Sequence, residues 1–118
     1  MSTHPNVILL LTLTPEGLTR KTRKDIMAEC HVEKEDDYIK IGNQDYHHEV
    51  MEEDYNEDYQ ISAKEGDIII FDLVTYGYGE SISWDDLSAQ KQELEEWAKG
   101  ICERHHCSFK INVTANYW

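Results

Sequence analysis

The chain has 118 residues, 40% hydrophobic and 30% charged, the size and balance of a single globular domain spanning residues 1–118. Its 24 acidic residues against 11 basic ones leave a formal charge of −13. That excess disfavours direct binding to nucleic acid or anionic lipid, which requires clustered Lys and Arg, and favours fast association with cationic partners.

The longest apolar run, residues 7–11, is far too short to span a bilayer. The opening Met-Ser-Thr-His-Pro does not resemble a basic signal-peptide start, so no export is expected. Cys30, Cys102 and Cys107 make an odd count, which argues against a disulfide framework and for a reducing cytoplasm.

In chain order, residues 7–14 (VILLLTLT) read as a strand buried on both faces and ended by Pro15-Glu-Gly17. Leu18, Ile26, Met27 and Cys30 share a helical face, with Arg20, Lys21, Arg23 and Lys24 largely off it, predicting a helix over 18–31. Residues 33–37 form a charged link. Residues 38–41 and 46–51 flank Gly42-Asn-Gln44 and predict a hairpin, and residues 59–62 add a short strand. Residues 67–76 (DIIIFDLVTY), rich in β-branched and aromatic types, are the clearest strand and stop at Gly77-Tyr-Gly79.

Ser83 is the expected N-cap of a second helix, with Asp85 and Asp86 at its positive end. Trp84, Leu87, Leu94, Trp97, Ala98 and Ile101 recur near a period of 3.6, carrying that helix to about His105 and placing both tryptophans in the core. Phe109, Ile111 and Val113 alternate with Lys110, Asn112 and Thr114, a half-buried last strand. The order is β-α-β-β-(β)-β-α-β. It predicts an α+β two-layer sandwich, a mainly antiparallel sheet with two helices on one face, ferredoxin-like or related.

Charge is unevenly spread. Residues 33–66 hold twelve acidic and three basic residues, interleaved with Tyr38, Tyr46, Tyr55 and Tyr59. Carboxylates steer and pair with Arg, and tyrosines give large contact area at low entropic cost, so the combination suits capture of a basic protein surface. The expected binding residues are Glu49, Glu52, Glu53, Asp54, Tyr55, Glu57, Asp58 and Tyr59, joined by Tyr76 and Tyr78 of the glycine loop. The blander reading is a solvated hairpin with its tyrosines packed on the sheet.

Two constellations raise metal chemistry. Asp54, Asn56, Asp58, Ser62 and Glu65 match offsets of an EF-hand loop, yet Tyr59 takes the glycine position and no exiting helix follows. Cys102, His105, His106 and Cys107, with Cys30-His31 or His47-His48, offer zinc-type ligands, but histidine at a helix end is favoured for dipole reasons alone. No nucleophile elbow, phosphate loop, dinucleotide fingerprint or His-Glu-x-x-His occurs, so neither an enzyme nor a resident metal or cofactor is expected.

The acidic tyrosine-rich middle and the run Tyr76-Gly-Tyr-Gly79, Ser83-Trp-Asp-Asp-Leu87 and Glu95-Glu-Trp97, together with size, resemble the small acidic immunity proteins that bacteria pair with secreted toxins, including those of contact-dependent inhibition systems. The resemblance implies a cytoplasmic inhibitor binding a toxin's catalytic domain, often a nuclease, whose polyanion-binding site an acidic surface can occupy. Two alternatives stand beside it: a DNA mimic inhibiting a nucleic-acid-binding protein, and a small metal-dependent enzyme using His105, His106 and Cys107 or the acidic loop.

Overall fold

The structure, a computed structural model, describes residues 5–15, 20–34, 36–56, 61–75 and 83–117. Strand β1 (Pro5–Pro15) has prolines, which lack the N–H a ladder needs, at both ends. It lies second from one edge of a five-stranded sheet and pairs antiparallel with β6 (Ile68–Thr75) and β7 (Cys107–Tyr117). Beyond β6 come β3 (Gln44–Val50) and the short edge strand β2 (Ile39–Ile41), giving the order β2-β3-β6-β1-β7, antiparallel throughout.

Helix α1 (Arg20–Glu29) connects β1 towards the β2–β3 hairpin, and α2 (Trp84–His105) connects β6 to β7. Without β2, these elements form two interlocking split β-α-β units, with β6 between β1 and β3 and β1 between β6 and β7. This is the expected α+β sandwich with ferredoxin-like strand order.

Both helices pack on one face. Leu9, Leu11 and Leu13 of β1, Ile68 and Ile70 of β6, Tyr46, Ile39 and Ile41 meet Ile26 from α1, Cys30 just past its end, and Leu94, Ala98 and Ile101 from α2. Phe109 and Ile111 pack against the same cluster from β7. Tyr46, one of the four tyrosines interleaved with the acidic residues, is buried here; it stands opposite Ile39 on the helix side of the hairpin. Gln90 of α2 bridges its hydroxyl (3.2 Å) to the Asp72 carboxylate (2.8 Å), and burial pushes the phenol up to about 12.

The opposite face has its own core. Ile8 and Leu10, alternating with the leucines above, join Ile69, Phe71, Met51 and Ala63. Met51 and Ala63 belong to the segment between β3 and β6, which carries the two-residue strands β4 (Tyr55–Asn56) and β5 (Ile61–Ser62), paired antiparallel. The continuous apolar run of β1 is thereby explained: alternate residues serve different cores.

Local signals set the boundaries. Gly42, with φ +62 at the first central position of a two-residue hairpin loop, meets the demand of a type II′ turn. Gly66, φ +89, takes the third position of a type II turn in which Asp67 N–H donates to the Lys64 carbonyl (3.0 Å). Ser83 Oγ accepts from Asp86 N–H (3.1 Å), capping α2 as its sequence predicts.

Three expectations need correction. The first helix ends at Glu29 rather than at residue 31, because His31 turns into the left-handed region (φ 59) and closes a Schellman motif: Val32 N–H bonds Met27 O (2.9 Å) and His31 N–H bonds Ala28 O (3.1 Å). The final strand is longer than residues 109–114, because every residue from 107 to 117 finds a partner on β1. Trp84 is not core: it is 77% exposed. Periodicity fixes which way a helical side chain points, not whether anything lies beneath it, and in this first turn little does. Trp97 does pack against the main core.

Candidate partner-binding surface

The β2–β3 hairpin is splayed at its open end. β2 pairs only as far as Ile39↔Tyr46, so residues 36–38 peel away from residues 47–49. His48 bridges the gap: its Nε2 stands 2.6 Å from the Asp37 carbonyl, and since a carbonyl only accepts, the imidazole proton is on Nε2. The departing chain is held by Asp37, whose carboxylate accepts the N–H groups of Glu33 (3.1 Å) and Lys34 (3.0 Å).

A cavity of about 160 Å³ opens in the splay, lined by Asp36, Asp37, Tyr38, His47, His48, Glu49 and Phe71. Its aromatic wall is a short ladder. His47 stacks on Phe71 (centroids 5.2 Å, 21° between planes) and meets the edge of Tyr38 (5.0 Å, 73°). Tyr38 is 56% exposed. Carboxylates beside π faces are the environment that receives a guanidinium or ammonium group.

The surface continues along the chain into Glu52, Glu53, Asp54 and Tyr55, all exposed, with Tyr55 at 47%. Asp54 has a structural task as well: its Oδ1 accepts from Glu65 N–H (3.0 Å) and its carbonyl from Ala63 N–H (3.2 Å), tying the two sides of the β4–β5 ribbon. Asp67, buried, accepts from Lys64 N–H (3.0 Å) in the same way. Within the stretch whose offsets partly match an EF-hand loop, the described residues pair as β4 and β5, and the carboxylate at the first ligand offset, Asp54, is engaged by backbone. A wider depression of about 450 Å³ beside it mixes Lys64 and Lys110 with these two committed aspartates, a poorer receptor for cations.

Of the residues singled out in the sequence, Glu49, Glu52, Glu53, Asp54 and Tyr55 are exposed, and Glu49 faces the cavity. Glu57, Asp58, Tyr59, Tyr76 and Tyr78 lie outside the described residues. Asp36, Asp37, Tyr38, His47 and His48 also line the cavity and were not among the expected binding residues. The signal was present in a charged link followed by a hairpin whose facing positions, Tyr38 and His47, are both aromatic.

The second metal constellation disperses. His105 Nε2 donates to Glu29 (2.9 Å), His106 is the left-handed cap of α2, and Cys107 faces Cys102. Among the described residues no three His, Cys, Asp or Glu side chains converge as a metal site. Nor is any helix there long and apolar enough to cross a membrane.

The ion pairs divide the acidic residues into two groups. Glu95 pairs with Lys99 (3.5 Å), and Glu29 with Arg104 and His105. Asp36, Glu52 and Glu53 are exposed and enter no ion pair among the described residues. No protein-family model, curated protein or solved structure matches this chain.

Proposed function

We propose that this chain is a cytoplasmic, non-enzymatic binding protein that neutralises a basic protein partner, in the manner of an immunity protein blocking a toxin domain. The observation carrying the reading is the exposed carboxylates of Asp36, Glu52 and Glu53, which enter no ion pair among the described residues, near in sequence to the exposed rings of Tyr38 and Tyr55. The carboxylates steer a cationic surface, the splayed hairpin receives an Arg or Lys side chain, and the tyrosines anchor the complex. A nuclease domain fits this description because its substrate site is built for phosphate.

The test combines affinity capture at low salt with rapid-mixing kinetics on the captured basic partner. Changing Asp36→Asn, Glu52→Gln and Glu53→Gln together should slow association about tenfold or more and leave the circular dichroism spectrum unchanged, whereas Tyr38→Ala should chiefly speed dissociation. Association that is indifferent to both salt and these changes overturns the proposal.

A further inference from the structure

Helix α2 closes on His106 in the left-handed region (φ 52, ψ 50), whose N–H returns to the Cys102 carbonyl (3.0 Å). Counted from that residue, Cys102 is the third helical position from the end and Cys107 the second residue beyond the cap. Caps of this kind bring the side chains at those two positions together, ordinarily as an apolar contact. At the end of α1, which closes with the additional Val32-to-Met27 bond, the residues at the same offsets from His31 are Met27 and Val32, both packed on the main core. At the end of α2 the two positions hold thiols, with their Sγ atoms 3.3 Å apart.

We propose that Cys102 and Cys107 form a thiol–disulfide couple, oxidised by a low-molecular-weight disulfide such as glutathione disulfide to a bond that spans the helix cap. The inference stands on the cap geometry and is independent of partner binding. Closing the bond takes the sulfurs from 3.3 Å to about 2.05 Å while the backbone cap already holds both residues in place.

Burial, with the neighbouring sulfur adding to it, pushes the Cys102 thiol up to about 12, and either sulfur can donate to the other. One of the two, as its thiolate, attacks one sulfur of the oxidant, forming a mixed disulfide and expelling one thiolate. The other then loses its proton and attacks the first cysteine's sulfur, expelling the second thiolate. Two protein thiols are oxidised and one small disulfide is reduced to two thiols. Cys30 stays out: it is buried in the main core, and desolvation pushes it up to about 12.

The experiment equilibrates the folded full chain across glutathione redox buffers, then denatures, alkylates and weighs it. Oxidation should lower the number of alkylatable cysteines from three to one, with a mass loss of about 2 Da that dithiothreitol reverses. The short loop closed should raise the melting temperature by about 5–10 °C. Cys102→Ser and Cys107→Ser should each abolish the 2 Da loss, about one disulfide's hydrogens. A folded chain that keeps all three thiols, stops at a glutathione adduct, or cross-links between copies overturns the proposal.

Discussion

Replacing each helix tryptophan by alanine separates the two positions that periodicity alone treats as equivalent. Trp84 is 77% exposed, so less than a quarter of its surface is withheld from water. With roughly 250 Å² for the whole residue, about 60 Å² is buried, or about 1.5 kcal/mol at ~25 cal/mol/Å². Alanine returns roughly 0.5 kcal/mol through its better helix propensity, leaving a net cost of about 1 kcal/mol or less. Trp97 packs against the main core, and its truncation should cost about 2–4 kcal/mol. Leu94→Ala, at a fully buried position on the same helix, calibrates the scale at about 3 kcal/mol. At roughly 4 °C per kcal/mol, Trp84→Ala should melt within about 4 °C of the parent and Trp97→Ala at least about 8 °C below it. Far-ultraviolet circular dichroism is the right probe, because both changes alter tryptophan fluorescence directly. Equal losses at the two positions would refute the burial argument.

Two further outcomes follow from single side chains. Thr12 is buried and its hydroxyl has no partner among the described residues, so Thr12→Val, nearly the same shape, should stabilise the domain by about 1 kcal/mol in urea titrations; a loss of stability would refute this. The Glu29 carboxyl is held below its ordinary value near 4.5, chiefly by the hydrogen bond from His105 and further by Arg104. A depressed carboxylate stabilises the fold above its unfolded pKa and loses that contribution as pH falls through the folded value. The stability gap between the parent and Glu29→Gln should therefore be present at pH 6, small because the pair is partly exposed, and be lost progressively as pH falls from about 4.5 through the lower folded value.

The parts of the fold legible in the sequence are those where one residue pattern has one physical solution. An unbroken apolar run such as residues 8–11 suits a strand covered on both sides, and Ser83 followed by Asp85 and Asp86 suits a helix start. What covers the second side of β1 was not legible, because Met51 and Ala63 carry no periodic signal in their polar segment. Of the candidate site, the acidic segment was visible as composition. The splayed hairpin was not: it depends on β2 stopping at Ile39, and strand length is set by where the chain diverges. Trp84 was misplaced because a helical period does not show whether anything lies beneath the first turn.

The far-face core also bears on the entropy of recognition. Met51 and Ala63 are buried against Ile8, Ile69 and Phe71, and Asp54 is tied to the backbone of Ala63 and Glu65, so the backbone of residues 51–56 is ordered when the domain folds. Fixing a residue's backbone costs about 1–2 kcal/mol, and for these six residues that cost falls on folding rather than on association. A partner meeting Glu52, Glu53 and Tyr55 then has only side-chain freedom to restrict. An acidic tail of the same composition would have to be ordered anew at each encounter, and would bind more weakly for it.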